Sequence, residues 1–181
     1  MTSAADGRPA FVVWLTGLPS AGKSTLASLL AERLRAGHHA VSVLDGDEVR
    51  RRFSEGLGFS REDRIENVRR IADAARELAE RGEIVIAAAI APYRAARAEA
   101  RSRIGSFVEV YVKCPVEVCI ARDVKGLYRR ALRGEIAQFT GVSDPYEEPV
   151  DPELVLETDR EAPEASAARI LEKLHELKYL S

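Results

Sequence analysis

No apolar run in the chain approaches the roughly 20 residues that a membrane-crossing helix needs, so no span is predicted among its 181 residues. Cysteine is scarce. Cys114 and Cys119 have neither metal-ligand spacing nor a disulfide framework around them, which suits a reducing, cytoplasmic setting. Both read as ordinary buried thiols. Neither sign of charge dominates, with 27 Lys and Arg against 29 Asp and Glu and a formal net charge of −2. A global basic field that would hold nucleic acid or an anionic membrane is therefore missing. There is no internal repeat, low-complexity tract or long linker, which favours one domain over 11–181. Residues 1–10, MTSAADGRPA, are small and polar without a basic-then-apolar signal layout, and read as a flexible tail. The apolar share of 46% and charged share of 31% are those of a globular protein with a sizeable core.

What the chain does have is concentrated in residues 11–36, FVVWLTGLPSAGKSTLASLLAERLRA. Phe11–Thr16 is apolar and β-prone, as a buried strand requires. Gly17–Ser24 follows with the pattern G-x-x-x-x-G-K-[ST], a phosphate-binding loop. Leu26, Leu29, Leu30 and Leu34 then recur at helical spacing. Gly17 and Gly22 permit backbone angles that let successive N–H groups turn toward an anion. The helix beginning near Lys23 aims its unpaired N–H groups and positive dipole end at the same point. Lys23 supplies a mobile charge for β- and γ-phosphates, and the Ser24 hydroxyl is placed to ligate Mg²⁺. The stretch predicts a nucleotide-phosphate site.

Further along, Ala40–Leu44 reads as a second strand, with the His38-His39 pair in a solvated turn before it. Asp45-Gly46-Asp47 leads into a short arginine-rich helix, Glu48–Phe53. Ser60-Arg61-Glu62-Asp63 is a capping signal for a long helix through Arg81, striped by Ile65, Val68, Ile71, Ala72, Ala75 and Leu78 and stopped at Gly82. Ile84–Ile90 and Phe107–Val112 read as buried strands, with a charged helix, Ala95–Ile104, between them. Pro115–Arg122 reads as a helix with proline in its first turn, and Leu154–Leu156 and Pro163–Leu177 as a last strand and closing helix. Asp123–Asp151 is charged, carries glycines and prolines and lacks a sustained apolar stripe. It reads as a basic lid segment, with Lys125, Arg129, Arg130 and Arg133. The alternation predicts an α/β, three-layer P-loop fold: a parallel sheet with helices on both faces.

Asp45 and Asp47 come off a strand end, where parallel-sheet topology gathers ligands. Their carboxylates suit a metal shell and the acceptance of a proton from an attacking hydroxyl. Spacing assigns Asp45 to the metal and Asp47 to the hydroxyl, with the reverse left open. A small single domain with a basic lid favours phosphoryl transfer to a small molecule over hydrolysis. Two other readings stay open: a kinase for a different small alcohol, and a catalytically silent nucleotide-binding module.

The segments GLPSAGKST, LDGDEVR, LGFSREDRIENVRRIA, APYRAAR, FVEVYVKCPVEVCIARDVKGLYRRALRGEI and FTGVSDPYEEP occur in an order that closely resembles the adenylylsulfate kinase family, from Phe11 to about Leu156. The resemblance implies a kinase that phosphorylates the ribose 3′-hydroxyl of adenosine 5′-phosphosulfate (APS) with ATP and Mg²⁺, as a homodimer. It implies ATP contacts from Gly17, Ser20, Ala21, Gly22, Lys23, Ser24, Thr25, Arg122 and Arg129, and metal contacts from Ser24 and Asp45. Catalysis falls to Lys23, Asp45 and Asp47. The implied acceptor residues are Asp47, Arg50, Phe59, Arg64, Asn67, Ile90, Lys125 and Phe139. Arginine forks suit tetrahedral oxyanions and aromatic faces suit adenine, while Asn67 offers a donor and an acceptor. One departure stands out. Many members carry S-P-[YH]-R, with a serine considered a phosphate acceptor in some, where this chain has Ala91-Pro92-Tyr93-Arg94. Alanine has no hydroxyl, so direct in-line transfer is expected.

Overall fold

The computed structural model describes residues 10–53 and 55–181, and the side chains of 47 and 51–53 are outside the description. The expected tail at 1–10 therefore lies outside the described residues, save Ala10. Five strands form one parallel sheet in the order β2-β3-β1-β4-β5: β1 Val12–Thr16, β2 Val41–Asp45, β3 Ile84–Ala88, β4 Phe107–Lys113 and β5 Leu154–Glu157. Parallel neighbours need crossover connections. Helices α1 Lys23–Ala36, α2 Gly46–Phe53, α3 Arg61–Glu80, α4 Arg94–Ile104, α5 Val116–Arg122, α6 Leu127–Leu132 and α7 Pro163–Glu176 lie on those connections or follow the last strand.

The central strand β1 is buried along its whole length, and its alternation divides the core. Val13 and Leu15 pack with Leu26, Leu30 and Leu34 of α1 and with Ile170 and Leu174 of α7. Val12 and Trp14 pack on the other face with Val68, Ile71 and Ala75 of α3 and with Ala96 and Ala100 of α4. Both faces are covered, which is why the strands read as near-continuous apolar runs. Trp14 is fully buried and stacked on Phe107 at 5.6 Å. Among the described residues its Nε1 is the one buried side-chain nitrogen or oxygen without a hydrogen-bond partner.

Helix α3 starts where the capping signal placed it: Ser60 Oγ accepts from Asp63 N at 3.1 Å and donates to Asp63 Oδ2 at 2.8 Å. The structure adds one element to the sequence reading. The excursion after Asp123 contains α6, whose Tyr128 and Ala131 are buried. Six residues are too few for a helical period to emerge from sequence, and Asp123 caps the helix from outside by accepting from Tyr128 N at 2.9 Å and Arg129 N at 3.1 Å. The strand ends Thr16, Asp45, Ala88 and Lys113 come out along one edge of the sheet, and the loops on that edge carry the predicted site residues.

Candidate active site

The loop after β1 is pressed against β4. A Cβ on Gly17 would stand 2.3 Å from Val112 O, so only glycine lets the backbone pass. Gly22, at φ +104°, turns the chain into α1 through a left-handed conformation that costs other residues energy. No side chain caps α1 and no acidic residue stands in its first turn, so its N–H groups remain for an anion. Lys23 Nζ donates to Gly17 O at 2.8 Å and Leu18 O at 2.7 Å. Burial pushes its pKa down to about 8, partly opposed by Cys119 and Asp45. Thr158, just past β5, braces the loop by donating from Oγ1 to Ala21 O at 2.7 Å.

Ser24 Oγ donates to Asp45 Oδ2 at 2.5 Å, joining the first turn of α1 to the end of β2. Two neighbouring oxygens of this kind suit Mg²⁺, a hard cation that keeps waters and substrate phosphates rather than a full protein cage. Among the described residues, no group of three or more His, Cys, Asp or Glu side chains is placed to hold a metal ion. Asp47 begins the second residue of α2, but its side chain lies outside the description.

Between α2 and α3, two guanidinium groups lie near one aromatic ring. Arg50 Cζ lies 4.1 Å and Arg64 Cζ 5.8 Å from the Phe59 centroid, and the ring is 52% exposed. Burial, and then the like charge of Arg64, lowers the Arg50 pKa, so an anion here would relieve repulsion. Arg50 donates to Leu57 O and Gly58 O, and Arg64 Nε to Phe59 O at 2.9 Å. Asn67 follows Arg64 by three positions on α3, hence on the same face. Ile90 accepts from Thr16 Oγ1 at 2.7 Å, beside the loop that carries Ala91, which is 3% exposed with φ +44°.

Arg122 ties the end of α5 to the P-loop, donating to Ser20 O at 3.5 Å and Thr158 O at 2.6 Å. Lys125 and Arg129 are exposed on the excursion after Asp123. Phe139 is 8% exposed and packs edge-on against Tyr128, which leaves little of its ring to a ligand. The far end of the excursion is anchored by Tyr146, whose hydroxyl is 2.9 Å from Thr16 Oγ1. Thr16, Tyr128, Thr140, Tyr146 and Thr158 were not singled out as site residues from the sequence. Tyr128, Thr140 and Tyr146 do lie inside the specific motifs, which was the available signal. Thr158 had none.

A glycine loop over an uncapped helix, a lysine, a serine–aspartate pair and a separate cationic face define a P-loop phosphotransferase. Likeness to known proteins narrows this. The adenylylsulphate kinase family matches residues 9–157. The adenylyl-sulfate kinase of Myxococcus xanthus is 57% identical over 173 residues, 93% of each chain. A probable bifunctional SAT/APS kinase 2 of Sorangium cellulosum is 55% identical over 94% of this chain, which spans 29% of that longer protein. The APS kinase CysC of Mycobacterium tuberculosis, solved in complex with AMPPNP and APS, superposes with a TM-score of 0.90 at 39% identity, over 93% of this chain and 99% of that one. The chain belongs to the adenylylsulphate kinase family.

Proposed function

We propose that the protein transfers the γ-phosphoryl group of ATP to the 3′-hydroxyl of APS, giving 3′-phosphoadenosine 5′-phosphosulfate and ADP. The observation that carries this is the cluster of Arg50 and Arg64 around the half-exposed Phe59 ring, in a chain whose P-loop, Lys23 and Ser24–Asp45 pair form a nucleotide-phosphate site. One half of the site suits a polyphosphate and the other an anionic nucleotide with a base to stack.

The uncapped N–H groups of α1 and the Gly17–Gly22 backbone cradle the phosphates, and Lys23 leaves its loop carbonyls for the γ-phosphate oxygens. Ser24 and Asp45 would hold Mg²⁺, which would supply charge neutralisation to the ATP phosphates. Arg50 and Arg64 orient the phosphosulfate, Phe59 stacks on the adenine, and Asn67 takes a polar edge of the acceptor. The hydrogen bond from Ser24 to Asp45 supports giving Asp45 the metal role, and Asp47, two residues on, would then take the ribose proton. Arg122, Lys125 and Arg129 cover the transferring group and exclude water. With Ala91 in place of a serine, no phosphoenzyme forms and transfer is direct and in line.

A cytoplasmic location rests on two buried free thiols. A homodimer rests on family resemblance. ADP formation in the presence of ATP, Mg²⁺ and APS tests the reaction. It should depend on APS and vanish in Lys23→Ala, while Asp47→Asn should lose turnover about a hundredfold or more and keep its nucleotide affinity. ATP binding without APS-dependent ADP formation would reject the acceptor.

A further inference from the structure

Arg64 spends most of its donors on the protein itself. Nε donates to Phe59 O at 2.9 Å, Nη1 to Thr140 Oγ1 at 2.7 Å and Nη2 to Gln138 O, while Asp144 Oδ2 stands 3.6 Å from Nη2. One guanidinium, 8% exposed, thereby fastens the loop before α3 to the return of the lid excursion. Thr140 is 1% exposed. Its turn is tied internally, with Phe139 N donating to Ser143 Oγ at 2.8 Å and Gly141 N to Asp144 O at 2.9 Å.

The same turn is fixed to the P-loop at its other end. The Phe139 ring meets Tyr128 edge-on at 5.0 Å. Tyr128 is fully buried, and its hydroxyl donates to Pro19 O at 3.0 Å. A Cβ on Gly141 would stand 3.1 Å from Leu18 Cδ2 and 3.6 Å from the Tyr128 hydroxyl, so the turn lies directly on the P-loop. Protein groups thus run without a break from Pro19 through Tyr128, Phe139 and Thr140 to Arg64 and the Phe59 carbonyl.

We propose that Tyr128 and Thr140 are positioning residues for acceptor recognition: acting through Arg64, they set where the Phe59 ring stands relative to the P-loop. This rests on the acceptor reading given under Proposed function. Ordering a half-exposed aromatic loop at the moment of binding costs affinity, and a strut that orders it beforehand removes that cost. The strut touches neither the transferring phosphoryl group nor the proton acceptor, so its loss falls on acceptor binding before it falls on the chemical step.

Two near-isosteric changes test it. Thr140→Val removes one buried hydrogen bond to a charged group, and Tyr128→Phe removes one oxygen while keeping the ring. The acceptor KM should rise about tenfold in Thr140→Val, from the size of a lost charge-assisted bond, with kcat and the ATP KM within about twofold. Thr140→Ser should restore it. The double variant should be less than additive, and amide exchange over residues 55–60 should quicken in both single variants. An unchanged acceptor KM in Thr140→Val, or unchanged exchange over 55–60 in both variants, overturns the inference. A wild type that makes no ADP with APS rejects the acceptor reading instead, and the exchange measurement still decides the strut.

Discussion

Lys23 carries the most pH-sensitive charge in the site. Its ammonium sits among loop carbonyls, and burial lowers its pKa from the ordinary 10.5 to about 8. The sign follows directly. The fold disfavours the charged form, so that cost is fully present below pH about 8 and is relieved as pH climbs toward 10.5, where the unfolded chain still holds the proton. The free protein should therefore gain stability relative to Lys23→Met between pH 8 and 10.5, read by urea denaturation. Nucleotide affinity should run the opposite way, weakening above pH about 8 in wild type and holding level in Lys23→Arg, as calorimetric titrations would reveal. At position 91 the expectation is chemical: γ-labelled ATP should leave no phosphate on the protein during turnover. The P-loop pattern brought Lys23 and Ser24 forward because it encodes them locally, and Asp45 came forward as a carboxylate at the end of the next strand. Thr140 could not be found that way, since its importance comes from Arg64, 76 residues earlier.

At the scale of elements, α4 and β4 are joined by a buried ion pair. Arg97 and Glu109 are 3% and 8% exposed, with Nε 2.9 Å from Oε1. Arg97 also donates to Ala91 O and Glu147 O, both at 2.6 Å. This one side chain holds the loop after β3 and the segment around Glu147 together. Arg97→Met should destabilise the protein by about 3 kcal/mol, because it leaves Glu109 with the more distant Arg101 Nη2 at 3.6 Å and takes the donor from Ala91 O and Glu147 O. Adding Glu109→Gln should return much of that loss, a pattern chemical denaturation of the two variants would resolve. The sequence around Arg97 reads correctly as a charged helix, but nothing in it tells the buried arginine from its exposed neighbours. Helix α6 went unread for a related reason. Its buried Tyr128 and Ala131 answer to the P-loop and to Phe139, not to a stripe of their own. The longer helices were legible, and so were β1, β3 and β4, because burial on both faces of the sheet leaves continuous apolar runs. The edge strands β2 and β5, only partly buried, read from shorter apolar stretches.

For the molecule as a whole, strand order was the part that sequence could not supply. The alternation predicts a parallel sheet, but the placement of β3 between β1 and β2 depends on which faces α1, α3 and α4 cover. That order puts β1 and its P-loop at the centre of the sheet, with β2 and Asp45 toward one side and β4, which leads to the Asp123–Asp151 excursion, next to it on the other. The excursion reaches back to Arg64 through Gln138 and Thr140. If the excursion closes over the reaction, Lys125→Ala combined with Arg129→Ala should lower turnover and raise the share of ATP lost to hydrolysis. Comparing ADP with phosphorylated product gives that share, and a normal ratio would count against closure. The centre of the sheet also offers a built-in optical gauge. The chain has a single tryptophan, and Trp14 lies dry against Phe107 at the middle of β1. Its fluorescence should be blue-shifted and should redden only when β1 leaves the sheet, so one unlabelled wavelength reports global unfolding while staying silent to events at the acceptor loop.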